Sequence, residues 1–283
     1  MLKLDIPVTL SDSNSDGNEY AEVTLYLFSQ AWFYGKKGGC KLVHNEKHDS
    51  PWVKLNPTNI GERLERYKIG IPMNYGQCET IYLQDENSNS FFYLKKGRVK
   101  AYILQKDGTE KILSIHEAGN FFGETAAIDQ LPRPCCTSTM AKSEIVVLSP
   151  ADLNALMKID PDLCVNIFRA IAKKVRLLSF QVQDMAFYDA EQRVAHLLLR
   201  FANDFGTVTP EGIKLSISFT DQDLAGLVGS CRVTVTKILN TFKKEGLIEK
   251  GYRNITIKNT VRLLEYLYNH EKARHTEKKV KIV

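Results

Sequence analysis

Residues Thr220 to Gly246, TDQDLAGLVGSCRVTVTKILNTFKKEG, leave few choices for the fold around them. A Thr at 220 can cap a helix by accepting a free backbone N–H, and Asp223 three residues on completes a capping box. Leu224, Leu227 and Val228 then recur at spacings of three and four, which marks one face of a helix. Gly229 follows, the residue that leaves a helix with positive φ at no steric cost. The spacing predicts a second helix from about Ser230 to Lys244 that buries Val235, Ile238, Leu239 and Phe242. Ala225 stands four residues before Gly229, where the two helices cross and a larger side chain would clash. With those residues inward, Arg232, Val233, Thr236 and Lys237 point outward together. This pattern predicts a helix-turn-helix, whose second helix enters the DNA major groove. An ordinary helical hairpin would need none of these size constraints.

The length of 283 residues allows two domains with ample core. The net charge of +5 permits nucleic-acid binding without demanding it. Position says more than the total. The last third carries Lys237, Lys243, Lys244, Lys250, Arg253, Lys258, Arg262 and five further basic residues of the tail. No apolar run is long enough to span a bilayer, so no membrane partner is expected. The start, MLKLDIPVTLSDSNSDGNEY, lacks the apolar length and the flanks of a secretory signal. A cytoplasmic location and reduced thiols at the six cysteines are the expectation.

Residues 1–60 form an N-terminal extension of unclear fold; AEVTLYLFSQAWFYG could be strands or a short amphipathic helix. Cys40, His44 and His48 recur every four residues and could hold a metal or haem on one helix face. Gly38, Gly39, Asp49, Ser50 and Pro51 bracket the run, however, and no fourth ligand presents itself. A solvated loop and no metal is the expectation. From about Tyr67 the chain changes to short apolar runs punctuated by Asn-Ser-Asn, Lys-Gly, Asp-Gly and Ala-Gly. Asp107-Gly108 between VKAYILQ and TEKILSI predicts a hairpin with a two-residue turn. Residues 61–160 are expected to form a small antiparallel β-roll. Ser149-Pro150 and Asp160-Pro161 each open a helix. On the second, Leu163, Ile167, Ile171, Val175, Leu178, Val182 and Met185 step by fours and threes. That stripe predicts a seam with a second copy of the chain over 161–189, the alternative being a helix lying on its own roll. A new helix after Asp189, the two-helix stretch and the wing KEGLIEKGYRNITIKN fill 190–270; the basic tail 271–283 is expected to be disordered.

Three blocks of this chain resemble the Crp/Fnr superfamily of bacterial transcription regulators, from about Tyr67 to Leu267. They are Phe122-Gly123-Glu124 with Arg133 nine residues beyond the Glu, the long helix running into Met185-Ala186-Phe187-Tyr188-Asp189, and LVGSCRVTVTKIL. The resemblance implies an α+β fold: a β-roll like a cyclic-nucleotide-binding domain, a dimerisation helix and a C-terminal winged helix-turn-helix. It implies a homodimer that binds an inverted repeat in double-stranded DNA, works with RNA polymerase and takes an effector, a cyclic nucleotide or another small anion.

In the family's cassette the Glu accepts a hydrogen bond from the ribose 2′-hydroxyl and the Arg fork neutralises the cyclic phosphate. The resemblance places Gly123, Glu124, Thr125, Arg133, Cys135, Leu178 and Ser179 around that effector. Pro134 stands where family members offer a backbone N–H to the phosphate, and proline has none. Leu178 stands where cAMP-binding members offer adenine a hydroxyl, though Ser179 is kept. Both departures argue against cAMP. A vestigial cassette in which Glu124 and Arg133 pair with each other is the alternative. Cys135 and Cys136 beside Arg133 suggest a thiol sensor, against the commoner reading of buried small hydrophobes. For DNA the resemblance implies Ser230, Arg232, Val233, Thr234, Thr236, Lys237, Lys243 and Arg253, with Arg232 able to meet guanine and Val233 a thymine methyl. Thr234, Thr236, Lys237, Lys243 and Arg253 are expected at phosphates. The best-known members carry Glu in place of Val233, so their half-site is not expected here. A cyclic-nucleotide-regulated enzyme is the rival class. The residues after Asp189 carry no nucleophile–base pair or phosphate loop to support it, and no catalytic residue is assigned.

Overall fold

The computed structural model of the chain describes residues 59–251 and 254–266 in full, preceded by the backbone of four short strands. The elements run β1 Leu25–Leu27, β2 Gln30–Tyr34, β3 Cys40–Leu42, β4 Trp52–Val53, α1 Ile60–Tyr67, β5 Ile71–Tyr75, β6 Thr80–Tyr82, β7 Phe91–Lys96 and β8 Arg98–Leu104. They continue β9 Glu110–Glu117, β10 Asn120–Phe122, α2 Glu124–Asp129, β11 Cys136–Thr139, β12 Ser143–Leu148, α3 Pro150–Ile159, α4 Pro161–Phe187 and α5 Ala190–Phe205. The last are β13 Gly206–Thr209, β14 Gly212–Leu215, α6 Asp221–Val228, α7 Arg232–Lys244, β15 Ile248–Lys250 and β16 Ile255–Ile257, followed by a helical stretch at 260–266.

Residues 1–48 and 49–283 are separate compact units. The first holds an antiparallel sheet in the order β1-β2-β3, so the ambiguous AEVTLYLFSQAWFYG contains strands rather than a helix. Cys40 opens β3, while His44 and His48 lie outside the described residues.

The roll is built from two sheets, β10-β7-β12-β5 and β4-β9-β8-β11-β6, antiparallel except for the β4–β9 pair. β7 shows why. Its FFYL run is buried on both faces, and a strand alternates its side chains between faces. Phe91 and Tyr93 therefore join Phe121, Leu156 and Leu163 under the helices. Phe92 and Leu94 join Tyr82, Val99, Phe122 and Ile145 between the sheets. The β8–β9 hairpin forms at Asp107-Gly108 as expected, but with three residues in the turn. Gln105 N–H donates to the Thr109 carbonyl, and Gly108 takes φ of 83°. Helix α1 was not legible, because Ile60, Leu64 and Tyr67 give it only two turns of pattern. It is pinned from outside: Arg63 forms an ion pair with Asp160, and Tyr67 donates to the same carboxylate at 3.0 Å. Asp160 in turn caps α4.

The stripe on α4 divides. Leu163 and Ile167 are buried in the core of their own chain, and Ile171 packs against that core. Leu163 and Ile167 are therefore not seam residues; the roll lies over the first turns of the helix and takes them. Val165 and Phe187 are exposed towards the two ends of α4, and between them the exposed large apolar positions are Phe168, Val175, Leu178, Val182 and Met185. Their spacings of seven (168, 175, 182 and 178, 185) trace a narrow heptad line.

Beyond Tyr188, Asp189 caps α5 in a capping box with Gln192. The wing is larger than expected: β13 and β14 extend it to a four-stranded sheet, β13-β14-β16-β15. Their alternating GTVT and GIKL runs carry that signal, short as it is. Among the described residues no helix is long and apolar enough to cross a membrane.

Candidate DNA-reading helix and effector cassette

Helix α6 starts as read. Thr220 and Asp223 close a capping box, and Gly229 ends the helix at φ of 64° while its N–H donates to the Ala225 carbonyl. Helix α7 begins at Arg232, two residues later than expected, with Cys231 at its cap. Val235, Ile238, Leu239 and Phe242 are buried, and Leu224, Ala225, Leu227 and Val228 of α6 meet them in the same core. The outward set is left for a partner: Arg232, Val233 and Lys237 are exposed, as is Lys243 farther along. Ser230 and Thr234 are half-buried at the helix start. Thr236 is different. Its hydroxyl donates to Asp221 at 2.6 Å, so it is already engaged within the protein. Arg253 lies outside the described residues.

In the cassette, Gly123 caps α2 with φ of 73° and Glu124 is buried at the first helical position. Glu124 and Arg133 do not pair with each other. Lys174 of α4 places its ammonium 2.7 Å from both Glu124 oxygens and also donates to the Phe121 carbonyl at 3.1 Å. Arg133 is buried with its fork turned into the roll. It donates to the Gly123 carbonyl at 2.8 Å, the Ser90 carbonyl at 2.6 Å and the Ser88 hydroxyl at 3.0 Å. Its guanidinium stacks 4.3 Å from the Tyr82 ring. Burial lowers its pKa, and no carboxylate among the described residues forms an ion pair with it. Its Nε has no hydrogen-bond partner there.

The other residues assigned to the effector by resemblance scatter. Thr125 faces solvent on α2, Leu178 is exposed on α4, and Ser179 returns its exposed hydroxyl to the Val175 carbonyl. The thiol reading of Cys135 is not supported: burial pushes this thiol up to about 11, far from a reactive thiolate. The exposed Cys231 is the opposite case, lowered by its hydrogen bond with Thr234. Among the described residues no three His, Cys, Asp or Glu side chains are grouped to hold a metal ion.

A cyclic nucleotide therefore meets an incomplete fit. Arg133 and Glu124 are the right chemistry, but each is occupied by its own chain. Lys174 escaped the sequence reading, since one Lys among several on a helix carries no motif.

The two sites are mechanically joined. Helix α6 lies on strand β9 so closely that a Cβ at Gly226 would fall 2.9 Å from Ile112 Cγ1. Lys111 of β9 donates to the Leu227 carbonyl at 2.5 Å, at the end of α6. Arg193 of α5 grips the Val228 carbonyl at 2.8 Å beside it. Cations belong at a helix C-terminus, where free carbonyls gather partial negative charge. Gln181 of α4 donates to the Leu113 carbonyl at 2.6 Å, so roll, long helix and reader share this strand.

A cyclic nucleotide-binding domain family matches residues 72–160, and a Crp-like helix-turn-helix domain family matches residues 192–266. The CRP-like cAMP-activated global transcriptional regulator of Mycobacterium tuberculosis is 27% identical over 192 residues, 68% of this chain and 86% of that protein. The cAMP-activated global transcriptional regulator CRP of Pasteurella multocida is 29% identical over 188 residues, covering 66% of this chain and 89% of the other. A solved structure of a CooA variant from Carboxydothermus hydrogenoformans superposes with a TM-score of 0.66 at 27% identity, covering 76% of this chain and 98% of that one.

Proposed function

This chain belongs to the Crp/Fnr superfamily of transcription regulators, and from that premise we propose how it acts. It is an effector-responsive regulator that binds duplex DNA by placing α7 in the major groove. The observation that carries this is the division of α7 itself. Val235, Ile238, Leu239 and Phe242 are buried while Arg232, Val233 and Lys237 are exposed, on the helix that follows a glycine-ended α6. The curated relatives described above are cAMP-activated transcriptional regulators by name. It acts in the cytoplasm as a homodimer paired along the exposed line of α4, reads an inverted repeat and works with RNA polymerase.

The effector is a small anion, and cAMP is a poor candidate. Lys174 holds Glu124, Arg133 holds backbone carbonyls, Pro134 lacks an N–H and Leu178 lacks a hydroxyl. An effector would have to exchange those internal contacts for its own, shifting the population of roll and reader arrangements that meet at Lys111 and Leu227. Selection of binding sites from a randomised duplex pool with the purified full chain tests the DNA reading. An inverted repeat is the expected outcome. Random or unpaired recovered sequences would show that α7 is not the reader.

A further inference from the structure

Asp221 is the first residue of α6, beside the Thr220 cap, yet the capping box closes without it through Thr220 and Asp223. Its carboxylate reaches across the reader instead. Thr236 of α7 donates to it at 2.6 Å, and Lys250 of β15 brings its ammonium to 2.7 and 2.8 Å from the two oxygens. The pair is largely covered, with 16% of the Asp221 side chain and 23% of the Lys250 side chain accessible. Burial favours the neutral acid, but hydrogen bonds from Lys250 and Thr236 and the charge of Arg232 hold Asp221 below the usual carboxylate range.

Three elements meet at this one carboxylate. α6 supplies it, α7 binds it from the outward side of the reading helix, and β15 binds it at the edge of the wing. Lys250 is the last residue of β15, and the next residue, Gly251, donates its N–H to the Asn254 carbonyl to close the wing turn. A hydroxyl of the reading helix and a cation of the wing are thus held by one carboxylate. A neutralised pair adds little to counterion release, which counts cations that meet phosphate.

Resting on the DNA-binding reading above, we infer that Asp221 is a positioning residue for DNA recognition. It locks the wing to the reading helix and withholds Thr236 and Lys250 from the phosphate backbone. Backbone attraction is left to the free cations Lys237 and Lys243, and base contacts by Arg232 carry a larger share of the discrimination.

The test is the slope of log K against log salt, measured with the full chain on a duplex that the wild type recovers from a randomised pool. Lys250→Ala leaves the slope unchanged, because Lys250 meets no phosphate. Asp221→Asn releases Lys250 and steepens the slope by about one. Asp221→Asn with Lys250→Ala returns it to the wild-type value. A merely structural role would weaken binding without steepening the slope. A fall of about one for Lys250→Ala alone overturns the inference, and so does an Asp221→Asn slope equal to wild type. If Asp221→Asn fails to fold, Asp221→Ser takes its place, with the same steepening expected and an unchanged slope again overturning the inference. A wild type that binds no duplex overturns the DNA-binding reading and this inference with it. A wild type that binds with the wrong slopes overturns this inference alone.

Discussion

The Lys174 ammonium stands 2.7 Å from each carboxylate oxygen of Glu124, joining the long helix to the effector cassette. Only 3% of the Glu124 side chain and 19% of the Lys174 side chain are accessible. Taking one partner from such a pair leaves a charge buried and uncompensated. Lys174→Met should therefore destabilise the chain by about 3–5 kcal/mol. Adding Glu124→Gln should recover most of that loss, because the carboxylate that needed a cation is gone. Urea unfolding of the two single variants and the double variant gives the coupling. Additive losses would mean the contact carries no energy of its own.

The same contact bears on the ligand. In the proposed cassette a cyclic nucleotide would take Glu124 for its ribose and the Arg133 fork for its phosphate, and both are held by the chain itself. Pro134 and Leu178 remove two further polar contacts, each worth about 1–3 kcal/mol if its ligand partner stays buried. Calorimetry should show cAMP binding weaker than micromolar. Micromolar affinity that disappears in Arg133→Ala would mean the internal contacts exchange more easily than their burial implies.

On α4, Val182 is 67% exposed and Ile167 is 2% exposed, although both belong to one sequence stripe. Val182→Asp should yield a folded monomer, because the charge enters only the proposed interchain seam. Ile167→Asp should unfold the chain, because the charge enters its own core. Sedimentation with a thermal melt separates the two. A monomeric wild type at micromolar concentration would remove the seam altogether.

That stripe shows where sequence reasoning stops. Period alone marks the apolar line from Leu163 to Met185, but it cannot say which part the roll covers. The roll is assembled by strand pairings distant in sequence, such as β12 with β5 and β4 with β9. The reader was legible because its constraints are local: the Thr220–Asp223 box, the positive φ of Gly229 and the buried Val235 and Ile238 all lie within a few turns. Glu124 and Arg133 were legible as residues, but their partners were not. Lys174 lies 50 positions from Glu124, and the Ser90 carbonyl lies 43 from Arg133. The Lys111–Leu227 contact spans 116 positions, and nothing in either segment announces it.

That contact predicts a pH dependence. Burial lowers the Lys111 ammonium to about 8, whereas the unfolded chain keeps it near 10.4, approximately the free-peptide value. Between those values the unfolded state binds a proton that the folded state lacks, so unfolding free energy rises with pH. Below about pH 8 both states are charged and the cost of burying the ammonium is fully present. Denaturant unfolding at about pH 7.5 and about pH 10 should show the wild type gaining stability relative to Lys111→Met at the higher pH. A difference between the two proteins that stays constant with pH would mean Lys111 remains solvated.

The reading helix makes the sharpest claim. Arg232 is exposed at the first position of α7 and is the fork-shaped donor nearest the start of the groove-facing side. Arg232→Ala should remove a bidentate guanine contact, costing about 1–3 kcal/mol, and should relax specificity at one base in each half-site. Val233 is exposed beside it, and Val233→Glu should move preference toward cytosine at the facing position, since a carboxylate accepts from the cytosine amino group. Lys243→Ala should instead weaken all sequences alike and reduce the salt slope by about one. These three changes separate base reading from backbone attraction within one helix. A selected-site profile for Arg232→Ala identical to wild type would put a different element in the major groove.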